Sequence, residues 1–225
     1  MGIGSTIGKS LMTQAPAMAP GAAVSMLRTV LQLAIDGVGP LPGARQAAQR
    51  TLVNRGEVEA AIDALATEHV ALAGAQGFVS NLGGLATLAV SIPANITGVA
   101  VVQVRMVAAI AHLRGYDLDD QRVRTAVLAC LLSSKEVDDL VAKKTLPTSP
   151  MGIATAPVAD PALEKTVAVQ VVNLLMGQVA GKKLPTLVAK RIPLLGGGIG
   201  AGTDGYTTWQ VGRYARRQFP TRRPR

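Results

Sequence analysis

Aromatic residues are nearly missing from this chain. One Trp, three Tyr and two Phe serve 225 residues. Strands fill their pleated faces with aromatic and β-branched side chains, so a sheet-based core is poorly supplied. Cysteine is scarcer still. Cys130 stands alone, which excludes an internal disulfide framework and suits a reducing compartment. His69, His112 and Cys130 show no metal-ligand spacing, so no metal is expected. No G-x-S-x-G nucleophile elbow occurs, and no cofactor is expected. The deepest absence is of charge. From His69 to Val104, 36 residues contain no Asp, Glu, Lys or Arg.

That run exceeds the roughly 20 residues a transmembrane helix needs. Polar residues such as Gln76, Asn81 and Gln103 interrupt it, and Gly77, Gly83, Gly84 and Pro93 break it. Two helices meeting near Ser91–Pro93 explain it better than one span. The preferred expectation is a hairpin buried in a soluble bundle; the alternative is a hairpin that sits in or on a bilayer. Few Trp or Tyr flank the run, which argues against a stable anchor.

What the chain does contain is alanine, valine and leucine at helical spacing. Val24, Leu27, Leu31 and Ala34 share one helical face, and Val58, Ile62, Leu65, His69 and Leu72 share another. Pro93 suits the first turn of a long helix ending near Gly115. Asp119 or Asp120 can cap the next, with Val123, Val127, Cys130 and Leu131 on its inner face. Ser133 and Glu136 form a capping box, and Asp160 before Pro161 opens a further helix. No segment alternates like a strand. The expected fold is all-α, a single-domain multi-helix bundle with a central apolar, glycine-rich helix pair. Residues 1–20 are expected to be a flexible N-terminal segment and 21–212 the helical domain. Residues 146–161, with four prolines, read as an exposed internal linker.

Phosphate loops are excluded by spacing. "MGIGSTIGKS" carries Gly4, Gly8, Lys9 and Ser10 one residue short of a P-loop, with no strand before them. The same stretch matches the myristoylation pattern through Gly2 and Thr6, a short and common match. "GGGIGAG" also contains G-x-G-x-x-A, but no strand precedes it and no acid follows at the required distance.

The net charge of +9 is uneven. Arg213, Arg216, Arg217, Arg222, Arg223 and Arg225 lie in the last thirteen residues and leave only +3 for the rest. Residues 213–225 are therefore expected to be an arginine-rich tail drawn to an anionic surface, phospholipid headgroups or nucleic acid. Nucleic acid is the weaker partner, because no helix-turn-helix or aromatic stacking set is present.

An internal echo links two segments. "ANITGVAVVQV" (94–104) aligns with "GAGTDGYTTWQV" (200–211), placing Gly98, Gln103 and Val104 opposite Gly205, Gln210 and Val211. Gly198 and Gly202, like Gly196 and Gly200, recur at intervals of four, which lets another backbone approach closely. Gly98, Gly198, Gly202 and Gly205 are the candidate helix-packing residues. Asp204 stands in an otherwise uncharged stretch, as a helix cap or as a buried functional carboxylate.

"GFVSNLGGLATLAVSIPANITGVAVVQVRMVAAIAHLRGYDLDD" (77–120) and "IPLLGGGIGAGTDGYTTWQVGRYARRQF" (192–219) resemble the EcsC family of bacterial proteins. The likeness covers roughly residues 45–219. Its marks are a long apolar helix ending in a Gly-Tyr-Asp turn, Gly115, Tyr116 and Asp117, and a glycine-rich segment ending at Asp204. Arg114 departs from the pattern, where an aromatic is expected. The resemblance implies a fold and a membrane-adjacent setting, since the founding member's gene neighbours those of an ABC transporter. It carries over no catalytic residue.

The expected function is thus a non-enzymatic, membrane-associated helical protein, binding lipid or assisting a membrane transporter. Its expected place is the cytoplasm, peripheral to the inner face of the bacterial membrane. The alternative is a hydrolase-like enzyme with a site around Asp204, near Asn95 or Gln210. A second alternative is nucleic-acid binding through the arginine tail.

Overall fold

A computed structural model describes residues 19–74, 94–189 and 195–222, without the side chains of 94–97, 178–189 and 195–203. Helix α1 (Pro20–Asp36) starts on a proline, whose fixed φ suits the first turn. It buries Leu27, Leu31 and Ala34 as their spacing predicts. Gly37, at φ 100°, turns the chain into a two-residue hairpin, β1 (Gly37–Val38) with β2 (Leu41–Pro42), antiparallel with Val38 opposite Leu41. The return is tight enough to require glycine at Gly43, where a Cβ would lie 2.1 Å from the Ile35 carbonyl oxygen. Helices α2 (Ala44–Arg55), α3 (Val58–Gly74), α4 (Ala94–Leu113) and α5 (Gln121–Ala129) follow. Then come α6 (Ser134–Ala142), the short α7 (Pro150–Ala154), α8 (Pro161–Ala189) and α9 (Leu195–Gln218). Apart from the hairpin, the described residues form a helical fold of the expected class.

Helix α4 is the hub. It packs against α1, α2, α3 and α9, and every residue from Ala100 to Ala111 is buried. A helix enclosed on all sides has no face on which charge is hydrated, which accounts for the absence of charge from Ala100 to Val104. At the start of the charge-free run, His69 and Ala73 are buried at the end of α3. The expected hairpin tip, residues 75–93, lies outside the described residues. Among the described residues no helix is long and apolar enough to cross a membrane.

Local signals set the helix ends. Gly115, at φ 86°, closes α4: its amide donates to His112 O (3.0 Å) and the Tyr116 amide to Ala111 O (3.0 Å). Asp120 rather than Asp119 caps α5, accepting from the Arg122 amide at 2.8 Å. Ser133 and Glu136 complete their capping box on α6. Asp160 accepts from the Ala162 amide (2.8 Å) at the start of α8. The Arg28 guanidinium grips the buried Glu164 carboxylate through Nε (2.7 Å) and an outer nitrogen (2.8 Å), tying α8 to α1.

Three expectations change. Residues 146–161 are not an exposed linker throughout. Leu146, Pro150, Ile153 and Ala154 are buried, because Pro150 starts a short helix whose apolar side lies on α5. The stretch after it runs along the surface. The arginine-rich segment does not begin as a tail at 213. Arg213, Arg216 and Arg217 ride on the last turns of α9, between the buried Tyr214, Ala215 and Phe219. Phe219 meets Tyr116 edge-on at 5.0 Å, and the Arg222 amide donates to Arg114 O at 2.8 Å. Asp204 does not cap the last helix, since α9 starts at Leu195 and places Asp204 within its third turn, half-buried. The N-terminal segment falls almost wholly outside the described residues.

Candidate functional site: an aromatic and basic cleft

The outward face of α9 carries Tyr206, Trp209, Gln210, Arg213 and Arg217, spaced at helical intervals along one side. In a chain with six aromatic residues, two stand in the open here. Tyr206 is 59% and Trp209 44% exposed, and their rings stack at 5.9 Å with planes 24° apart. The Arg213 guanidinium lies over the Trp209 ring at 4.7 Å, and Arg217 lies 5.7 Å from the Tyr214 ring. A cation over such a ring gains about 0.5–1 kcal/mol at an exposed site, so these pairs hold the side chains in place without neutralising them.

This face forms one wall of a cleft of about 650 Å³ between α9, the start of α6 and α8. The floor is apolar: Leu131, Leu132, Leu174 and Val211. Ser133, Ser134, Lys135 and Glu136 form the opposite rim. Gln103 of α4 reaches the bottom, where its amide nitrogen donates to Thr208 Oγ1 at 3.1 Å. Three cations, Lys135, Arg213 and Arg217, face one carboxylate, Glu136, which accepts from the Ser133 amide at 2.8 Å. Burial pushes the Tyr214 hydroxyl well above its ordinary pKa, so it stays protonated. The cleft thus combines apolar side chains with cations on both of its sides, suited to a molecule with a greasy part and a negative part.

The structure divides the residues singled out in the sequence. Of the described arginines in the cluster, Arg213 and Arg217 line the cleft. Arg216 pairs with Asp63 of α3 at 2.5 Å, and Arg222 covers the Tyr116 ring at 5.0 Å. Arg223 and Arg225 lie outside the described residues. Gln210 lines the cleft and Asp204 does not. Six residues apart on one helix, they point roughly 120° apart around its axis. Asp204's carbonyl accepts from Thr207 Oγ1 at 3.1 Å, and Asn95's side chain lies outside the described residues. Gly98 and Gly205 are buried. A Cβ at Gly205 would meet Val70 of α3 at 3.6 Å, so a methyl group has room there. Gly198 and Gly202 are helical, with their packing outside the described residues.

The sequence does not single out Arg105, the largest fully buried side chain among the described residues. Its Nε donates to Pro42 O (2.6 Å) and an outer nitrogen donates to His69 Nε2 (2.7 Å), while Glu68 lies 3.8 Å away. Arginine only donates, so His69 must accept at Nε2 and carry its proton on Nδ1, which donates to Leu65 O (2.7 Å). Burial and the neighbouring Arg105 lower the His69 pKa to about 3, and burial lowers that of Arg105 to about 10. The signal was available: Arg105 is the one charged residue within the otherwise uncharged ANITGVAVVQVRMVAAIAHL segment. The cluster pins the β2 end to the hub. Among the described residues no group of His, Cys, Asp or Glu is placed to hold a metal ion.

A model of the EcsC protein family matches residues 45–223. The chain belongs to the EcsC family. Comparison with curated proteins and with solved structures found no match. The EcsC match runs through Phe219 and Arg222, so the arginine segment is part of the family's domain. Helix α1 precedes the matched region yet packs on α4 and α8, completing the same core.

Proposed function

We propose that this EcsC protein is a non-enzymatic, amphitropic lipid-binding protein that docks on an anionic membrane surface through the outward face of α9. The observation that carries this is the exposed Tyr206–Trp209 stack with Arg213 laid over it. Trp and Tyr favour the headgroup level of a bilayer, where one end of the ring is wet and the other apolar. Each arginine near an anionic surface adds about 1 kcal/mol, weakened by salt. A place on the inner face of the bacterial membrane, beside a transporter, fits the same reading.

The test is flotation of the purified protein with phosphatidylglycerol and with phosphatidylcholine vesicles. Flotation with the anionic vesicles is expected, decreasing with salt and with the double change Arg213→Gln, Arg217→Gln. Deleting residues 213–225 is unsuitable, because it also removes Phe219 from the core. Equal flotation with neutral vesicles, or none with either, overturns the reading. Tighter binding to duplex DNA than to vesicles supports the nucleic-acid alternative.

A further inference from the structure

The cleft behind this face has a shape that docking alone does not require. We propose that it holds one anionic amphiphile, a molecule with a phosphate or carboxylate head and an alkyl chain. The head sits between Arg217, Arg213 and Lys135, and the chain lies over Leu131, Leu132, Leu174 and Val211. The proposal rests on the reading of α9 as the lipid-facing helix, and it names what that helix recognises.

Four observations carry it. A volume of about 650 Å³ falls within the range of small-molecule sites. Its lining is mixed, with the apolar Leu131, Leu132, Leu174 and Val211 and with cations from both facing helices, as a two-ended ligand requires. The cations also have unusual partners. Arg28, Arg50, Arg114, Arg122 and Arg216 each hold a carboxylate. Among the described residues, the partners of Arg213 and Arg217 are rings. A ring accepts no strong hydrogen bond, so a guanidinium beside one keeps N–H donors for oxygen ligands, and their fork matches phosphate and carboxylate geometry. Finally, the nine-residue α6 points its N-terminus into the rim. The capping box occupies Ser133 and Glu136, whereas the amides of Ser134 and Lys135 precede the first intrahelical bond and favour an anion. Glu136 opposes the anion, but its carboxylate is held on the Ser133 amide, and the lining keeps a cationic excess.

Trp209 is the only tryptophan and lies in the cleft wall, so its fluorescence reports occupancy. The full-length protein is titrated with dodecyl phosphate below its micelle concentration, with dodecyl maltoside as the neutral chain and inorganic phosphate as the bare head. Saturable binding of dodecyl phosphate is expected, at least tenfold weaker in Arg217→Gln and in Ser134→Phe, which fills the polar end. Ser134→Phe is expected to float with anionic vesicles like wild type, which separates the cleft from the docking face. Dodecyl maltoside binding as tightly, or phosphate alone doing so, overturns the proposal. Wild-type protein that floats with anionic vesicles yet gives no saturable response overturns the cleft and leaves the docking face standing. A saturable response without flotation upholds the cleft and removes the docking. Native mass spectrometry after exposure to phosphatidylglycerol vesicles identifies the source. A retained lipid marks the bilayer, and an empty protein that still binds dodecyl phosphate marks a soluble amphiphile; both uphold the site.

Discussion

Arg105 and Arg213 occupy the two helices that the Gly…Gln-Val echo pairs, and their surroundings are opposite. Arg105 is enclosed at the middle of α4. Its charge is tolerated because Pro42 O and His69 Nε2 are brought to it by β2 and α3, with Glu68 near. Arg213 is exposed at the end of α9, laid on a ring and open to solvent. Helix α4 is packed from all sides, so a charge there must be matched with acceptors from other elements or the helix fails. Helix α9 touches the core through Thr208, Val211, Tyr214 and Ala215 alone among its last turns before Phe219, with Gly212 against Met106. Its other side is free to carry charge and aromatic surface together. The same residue type is thus part of the scaffold in one helix and part of a recognition surface in the other.

The largest expected effect breaks the assumption that the arginine segment is separable. Ending the chain at Gly212 removes Tyr214, Ala215 and Phe219 from the core. Phe219 alone is expected to contribute about 3–5 kcal/mol, a large share of the roughly 5–15 kcal/mol typical of a whole domain. Circular dichroism in urea should show loss of the cooperative transition. Ending it after Arg222 should leave the transition in place.

Next in size is the enclosed arginine. Arg105→Ala leaves Pro42 O and His69 Nε2 buried without their donor and opens a cavity, an expected cost of about 3–5 kcal/mol. Chemical denaturation reads it directly. An Arg105→Ala protein as stable as wild type would mean that the enclosed cluster contributes no more than the surface pairs.

The same cluster makes a pH prediction. His69 has an ordinary value of 6.5 and is lowered to about 3 in the fold. As pH falls below 6.5 the unfolded chain takes up a proton that the folded one refuses. Stability is therefore full above about pH 6.5 and declines by about 1.4 kcal/mol per pH unit down to about pH 3. By pH 5 the loss from this residue reaches about 2 kcal/mol. Comparing denaturation midpoints at the two pH values in wild type and His69→Gln isolates it, because glutamine still offers Arg105 an acceptor and does not titrate. An unchanged slope in the variant assigns the acid sensitivity elsewhere.

The smallest effects on stability are expected on α9. Gly205→Ala places a methyl group at ordinary contact distance from Val70 and should stabilise the helix by about 0.5–1 kcal/mol. A loss instead would show that α9 and α3 need the glycine to approach. Trp209→Ala should cost only about 0.5–1 kcal/mol, the contribution of the Arg213 cation over its ring. It should nevertheless weaken vesicle flotation, and that split between stability and binding distinguishes the open face from the enclosed hub.

Much of the framework was legible because the interactions that set it are local. Ser133 and Glu136, Asp120, Asp160 and Gly115 each act within one turn of the residues they cap, so a short window of sequence contains both partners. The burial of Leu27, Ile62, Leu65 and Val127 follows from helical spacing. The cleft was less legible. In the sequence Arg213 and Arg217 belong to one cluster, and nothing in their neighbourhood separates them from Arg216. That distinction depends on Asp63, which lies far away in sequence and opposite Arg216 in space. As the one acid in an uncharged stretch, Asp204 reads as a cap; the helix instead begins nine residues earlier, at Leu195.

The amino-acid sequence alone determined the helical class, most of the helix ends, the EcsC family and the presence of an unusual concentration of arginine. Tertiary structure alone decided which arginine is enclosed, which ones pair with acids and which two face a cleft. It also made a core anchor of Phe219 and turned a proline-rich stretch into a packed turn of helix. The physical reason is range. Capping and periodicity act over three or four residues, whereas desolvation and charge pairing depend on groups that folding brings together from distant parts of the chain.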